Sequence, residues 1–132
     1  MATTMQVELV SPERVLYSGE ATIVVCRPAD GDAAFLPGHA PFLGLLGIGP
    51  VTIRTPDGTE VRAAVHGGFV EVRNNRVTIL SDVAELSTDI DVARARLAKT
   101  AADSAVGTAD SAAALRRAST RLAVAGAEVA AH

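Results

Sequence analysis

The side chains able to do chemistry are few, and they are set far apart. The three histidines, His39, His66 and His132, have no H-E-x-x-H, C-x-x-C or paired-histidine spacing around them, so a catalytic metal site has no support in the sequence. The single cysteine, Cys26, ends the apolar run Ala21-Thr22-Ile23-Val24-Val25-Cys26 and reads as a small buried hydrophobe rather than a nucleophile. There is no G-x-S-x-G, no G-x-x-x-x-G-K-[ST] and no G-x-G-x-x-G; the nearest approach, Gly44-Leu45-Leu46-Gly47-Ile48-Gly49, neither follows a predicted strand nor opens a predicted helix. The acids Asp30, Asp32, Asp57 and Glu60 stand beside glycines and prolines, where a carboxylate usually caps a turn. No catalytic constellation emerges. A hydrolase built on His39 or His66 would need a nucleophile nearby, and none is in sequence reach.

Three segments still ask for a role. Leu36-Pro37-Gly38-His39-Ala40-Pro41-Phe42-Leu43 is a stiff loop that presents His39 between apolar flanks, or a plug for one end of a sandwich. Gly67-Gly68 precedes a strand and lets the backbone approach another element closely, a packing feature first and a binding feature second. In Ile90-Asp91-Val92-Ala93-Arg94-Ala95, Asp91 and Arg94 lie one helical turn apart on one face. Such a pair reads as a carboxylate favoured by the helix dipole and paired with an arginine at i+3.

The elements that position these residues change character along the chain. The first part reads as short strands: Gln6 to Val10, Arg14 to Tyr17, Ala21 to Cys26, Val51 to Arg54, Glu60 to Val65, Phe69 to Arg73 and Arg76 to Leu80, with turns at Pro56-Asp57-Gly58 and Asn74-Asn75. From about Leu86 the apolar period lengthens from two residues to about 3.6. A first helix is predicted from about Asp89 to Val106, opened by a capping box of Thr88 and Asp91 and stopped by Gly107; Thr108 caps a second. Their apolar seams would be Ile90, Ala93 and Leu97 on the first and Leu115, Ala118, Leu122, Ala125 and Val129 on the second. The expected fold is α+β, with an antiparallel β-sandwich over 1–86 and an antiparallel helical hairpin over 87–132. Alanine buries little apolar area, so the hairpin either docks and undocks or packs closely and permanently.

Composition agrees with a division near Leu86. All six prolines lie at or before Pro56, all four aromatics at or before Phe69, and only Gly107 and Gly126 of the eleven glycines come later than Gly68. Before Leu86 there are ten acids and six bases; from Leu86 on there are five acids and six bases. With a net charge of −3 and no Trp, the chain lacks the basic surface and stacking platform that nucleic acids select. The start, Met1-Ala2-Thr3-Thr4-Met5, runs into charged alternating sequence and reads as no signal peptide, and no apolar run approaches the roughly 20 residues that span a bilayer. A soluble protein is expected.

In order along the chain, several motifs stand together: Val10-Ser11-Pro12; Ala29-Asp30-Gly31-Asp32 leading into Leu36-Pro37-Gly38-His39-Ala40-Pro41; His66-Gly67-Gly68-Phe69-Val70-Glu71-Val72; Val77-Thr78-Ile79-Leu80-Ser81-Asp82; and Ile90-Asp91-x-x-Arg94-Ala95. Together they resemble the epsilon subunit of the rotary, proton-translocating ATP synthase over essentially the whole chain. The resemblance implies a non-catalytic rotor part of the central stalk. Its sandwich would bind the gamma subunit and rest on the polar loops of the c-ring, coupling ring rotation to the catalytic alpha/beta hexamer. Asp32 and His39 would face the ring. The hairpin would be regulatory, reaching the alpha/beta subunits and blocking hydrolysis when extended. The place implied is the cytoplasmic face of the cell membrane, with membrane contact only through the c-ring.

Some members of that family bind ATP on the folded hairpin. The resemblance then implies Glu85, Asp91, Arg94, Arg117 and Arg121 as the ATP-binding set, with no required cofactor and ATP as a regulatory ligand. A further arginine that such relatives carry late in the first helix is alanine here, around Ala101, and the hairpin is shorter, so weak affinity is implied. The alternative is a stand-alone ATP-sensing protein acting through the hairpin without a larger complex.

Overall fold

A computed structural model describes residues 3–28, 31–105 and 107–126; Ala29, Asp30, Val106, Val129 and His132, named above, lie outside the described residues. The elements are β1 (Met5–Val10), β2 (Val15–Ala21), β3 (Ile23–Cys26), β4 (Ala33–Phe35), β5 (Phe42–Arg54), β6 (Glu60–Arg73), β7 (Arg76–Ser81), β8 (Ala84–Leu86), a 3-10 turn (Ser87–Asp89), α1 (Val92–Ser104) and α2 (Ala109–Val124). The fold is a β-sandwich followed by two helices, as expected. No helix among the described residues is long and apolar enough to cross a membrane.

Strict alternation decides which faces meet. Met5, Val7 and Leu9 of β1 point inward together with Val24 and Cys26, Val51 and Ile53, Val70 and Val72, and Val77 and Ile79, and Phe35 closes the core. The strands pair in the order β2-β1-β7-β6-β5-β3-β4, with β8 as a second neighbour of β6. All pairings are antiparallel except β1 with β7, which sets Gln6 opposite Arg76 through Val10 opposite Leu80.

The corner of the sandwich lies inside β6. Ala63 to Val65 pair with β8, whereas Gly68 to Arg73 pair with β7. Between them Gly67 and Gly68 take positive φ, 87° and 125°. A Cβ on Gly68 would stand 2.1 Å from the Leu80 carbonyl oxygen, closer than any side chain permits. The chain from Ser81 to Val83 wraps this corner: His66 N–H donates to the Val83 carbonyl at 2.8 Å, and the Ser81 hydroxyl donates to the same carbonyl at 2.7 Å.

Several expectations change here. Glu60 to Val65 and Phe69 to Arg73, predicted as two strands, are one bent strand. Phe42 and Leu43, expected in the stiff loop, and the glycine-rich stretch from Gly44 to Pro50, expected in no strand, are the first part of β5. Gly44 and Gly49 make room for neighbouring side chains rather than breaking the strand. A Cβ on Gly44 would meet the Phe42 ring at 2.8 Å, and one on Gly49 would meet the Arg27 side chain at 3.1 Å.

The first helix starts at Val92, not near Asp89. Thr88 sits in the 3-10 turn and Ile90 is extended (φ −79°, ψ 126°), so Asp91, not Thr88, is the N-cap, accepting from the Arg94 N–H at 3.0 Å. Thr108 caps α2 and forms a capping box with Ser111.

The helix faces also differ in part. On α1 the buried residues are Ala95 and Ala102, while Leu97 is 73% exposed and Ala93 is exposed. With one leucine to define a stripe, the periodic signal was weak, and the closest contact with α2 takes the smallest side chains. On α2, Ala118 and Leu122 are buried as expected, with Leu115 and Ala125 half-buried; Thr120 and Val124 are buried as well. The wider face follows from α2 having neighbours on two sides: α1, and the sheet at β5 and β6.

Gly68→Ala is therefore expected to cost roughly 3 kcal/mol or more, combining a strained backbone with an overpacked contact. A fall in the urea midpoint of the full chain at unchanged m-value checks it.

Candidate functional site

β6 has two faces with different neighbours. Ala63 and Val65 point into the sandwich core, so alternation turns Ala64 and His66 to the opposite side, where α2 lies. Both are buried, Ala64 fully and His66 to 8% residual exposure. Glu85 of β8 is the cross-strand partner of Ala64 and therefore shares that face.

Glu85 ties three elements together. Its Oε1 accepts from Arg121 Nε of α2 at 2.5 Å and faces His66 Nε2 of β6 at 3.2 Å. Two more bonds fasten the same assembly. Arg62 of β6 donates to the Ala123 carbonyl at 3.0 Å, satisfying the end of α2, where the helix dipole also favours a cation. Arg14, just before β2, reaches Asp89 at 2.7 Å and pins the entry to α1.

The His66 ring is the least comfortable member. Its Nδ1 is buried and has no hydrogen-bond partner. Burial first, and then the Arg121 guanidinium, lower its proton affinity below the ordinary imidazole value, with Glu85 opposing them. The ring is thus neutral at pH 7 and donates its Nε2–H to Glu85.

Above Glu85 opens a cleft of about 260 Å³ lined by Glu85, Asp89, Asp91, Arg94 and Arg121, with Ala95 and Ala98 on one wall. Four of the five residues expected to bind ATP, Glu85, Asp91, Arg94 and Arg121, meet here. Arg117 is not on the wall; it stands one turn before Arg121 on α2 and acts on His66 electrostatically. The hydrogen bond from residue 94 to Asp91 comes from the backbone N–H, so Asp91 serves as a helix cap. An anion entering the cleft would find Arg121 already held by Glu85.

Asp32 and His39 belong to another part of the molecule and do not line this cleft. Asp32 pairs with Arg27 at 2.8 Å in the open. His39 Nδ1 lies 2.6 Å from the Ala40 carbonyl, and the ring stands edge-on to Phe35, centroids 5.0 Å apart. Asn75 anchors the loop that carries His39: its side chain accepts from Gly38 N–H at 3.0 Å and donates to the Thr4 carbonyl at 2.8 Å. The Cys26 thiol is pushed up to about 12 by burial, then by Asp32, which removes thiolate chemistry at neutral pH.

The sequence reading did not place His66 or Asp89 at this site. The signal for His66 was the unbroken apolar run Ala63-Ala64-Val65 ahead of it, which marks a strand covered on both faces.

Comparison with known proteins agrees with this architecture. Residues 4–87 match the family model described as ATP synthase, Delta/Epsilon chain, beta-sandwich domain. The chain is 51% identical over 126 residues to the ATP synthase epsilon chain of Streptomyces griseus subsp. griseus, covering 92% of this chain and 95% of that one. It is 47% identical over 129 residues to the ATP synthase epsilon chain of Thermobifida fusca, covering 95% and 94%. A chain in the Euglena gracilis mitochondrial ATP synthase OSCP/F1/c-ring structure shares the fold at a TM-score of 0.74 and 20% identity, over 98% of this chain and 82% of that one. From the matched sandwich and the near full-length relatives together, the chain belongs to the epsilon-chain family of ATP synthase, a subunit of that complex and not a catalyst in itself.

Proposed function

We propose that the chain is a rotor subunit of the central stalk that couples c-ring rotation to the catalytic alpha/beta hexamer, with the gamma subunit seated on the sandwich. One observation carries this reading. Leu45, Phe69, Leu80, Val10 and Val15 follow one another in register across β5, β6, β7, β1 and β2. Leu45, Phe69, Leu80 and Val15 are each half exposed or more, and Leu43 flanks them at 70%. A cross-strand row of large apolar side chains left open to water is unfavourable in a lone subunit and fits a permanent protein partner.

The relatives are ATP synthase epsilon chains, which supports a partner within that complex; gamma is the partner that the family resemblance implies. The loop with His39, fastened through Asn75, and Asp32 on the other side of β4 form the piece that meets the polar loops of the ring. The complex would sit on the cytoplasmic face of the cell membrane, with the chain touching the membrane only through the c-ring.

Truncating the centre of the row tests the seat. Phe69→Ala, which removes an exposed ring from the free chain, is expected to leave its folding stability within about 0.5 kcal/mol and to weaken capture of gamma from detergent-solubilised membranes by roughly tenfold or more. Unchanged capture of gamma would place the interface elsewhere.

The hairpin is the regulatory half of the proposal. Its attachment rests on small side chains and a few polar bonds, which suits an element with two positions. When extended it would reach the alpha/beta subunits. Deletion of 87–132 is expected to raise ATP hydrolysis by the assembled complex by roughly fivefold or more, the lower end of ordinary allosteric coupling.

A second reading, ATP sensing by the hairpin itself, draws on the cleft between Glu85, Asp91, Arg94 and Arg121. Because an incoming polyphosphate must displace Glu85 from Arg121, affinity is expected to be weak, with a Kd on the order of 1 mM. Calorimetry on the full chain and on Arg94→Ala checks it: heat that the variant loses supports the sensor, and no heat in the parent chain removes it.

A further inference from the structure

We propose that His66 is a proton-operated release for the helical hairpin: uptake of one proton at its ring loosens α2 from the sandwich. The side chain is 4% exposed and sits on the face of β6 that α2 covers, outside the sandwich core. The charged groups facing it are Glu85 from β8, and Arg117 and Arg121 from α2. Its strand neighbour across the ladder is Ile48 of β5, which brings no charge.

The chemistry of the site is asymmetric between the two forms of the ring. The neutral ring, with its proton on Nε2, needs only the single acceptor it has in Glu85 Oε1. A protonated ring carries a second N–H, at Nδ1, and that atom is buried with no partner. It also places a third cation near the guanidiniums of Arg117 and Arg121, of which Arg121 is paired with Glu85. A second donor without an acceptor and an extra buried cation both penalise the docked state.

Lifting α2 removes both penalties at once, because the helix supplies the arginines and the cover. Proton binding and hairpin release are therefore linked, and each must promote the other. The direction follows from His66 having a lowered proton affinity when docked. Docking is at full strength above the ordinary imidazole range, about 6.5, where the ring is neutral in both states. As pH falls below that, the undocked state takes the proton first and docking weakens. One linked proton limits the effect to about tenfold in the docking equilibrium per pH unit.

The experiment uses the isolated full chain, so its outcome is separate from any effect on hydrolysis or gamma binding. Hydrogen exchange of α2 amides, corrected for intrinsic rates, is followed from pH 8 to pH 5.5, and the His66 ring is titrated by NMR in the same samples. The undocked fraction is expected to rise below about pH 6.5, and His66→Gln, which keeps a polar side chain but cannot titrate, is expected to flatten that rise. The ring should titrate below the ordinary imidazole value of about 6.5. An exchange profile that is flat in the parent chain or equally steep in the variant overturns the proposal. So does a His66 that titrates at or above about 6.5, a result that remains decisive if the variant does not fold.

Discussion

The missing side chain at Gly68 is the constraint on which the rest of the molecule depends. With the Leu80 carbonyl oxygen 2.1 Å from where a Cβ would be, one strand turns sharply without breaking its ladder and serves two partners in succession, β8 and then β7. That turn decides what each half of β6 presents. Beyond the corner, Val70 and Val72 fill the core while Phe69 joins the open apolar row. Before it, Ala63 and Val65 fill the core while Ala64 and His66 face the helix. The surface read as a partner seat and the surface that holds the hairpin are thus two stretches of the same strand, set at an angle by two glycines.

The two halves of the molecule are held by different forces. The sandwich is closed by valine, isoleucine and leucine on nearly every strand, each contributing about 1.5–3 kcal/mol when fully buried. The hairpin contributes Ala95, Ala102 and Ala118 at its closest contacts, with Leu122 and Val124 as its larger buried residues. Polar bonds therefore carry a greater share of its attachment, and most of them run through Glu85, Arg121, Arg62 and the Arg14 to Asp89 pair. Such bonds respond to protonation and to competing anions in a way that valine packing does not.

Much of this was legible in the residues. Alternation in Gln6 to Val10 and Arg76 to Leu80 marked strands with one buried face, and the Asn74-Asn75 turn announced itself because asparagine accepts positive φ. Glycine was the source of the strand misreadings. At Gly44 and Gly49 it relieves crowding inside a strand, at Gly68 it permits a corner, and at Gly58 it closes an ordinary turn, yet one letter stands for all three until the neighbours are known. Of the site, Asp91 and Arg94 were legible as a pair one helical turn apart, while Glu85, Arg117 and Arg121 came in only through the family resemblance. Its centre was not, because the meeting of Glu85, His66 and Arg121 depends on β8 pairing with β6 and on α2 crossing both, contacts between residues far apart in the chain.

The parallel pairing of β1 with β7 has a bearing on how the molecule comes into being. Residues 5–10 find their central neighbour at residues 76–80, and the Asn75 side chain secures the join by donating to the Thr4 carbonyl. During synthesis, Val7 and Leu9 must wait in water until most of the chain has left the ribosome, since the strand that covers them is among the last of the sandwich to appear. Hairpins such as β5 with β6 form from neighbours and can assemble early. β1 is thus among the last strands to be locked in although it is made before its neighbour, and closure of the sandwich and arrival of the helices fall close together in time.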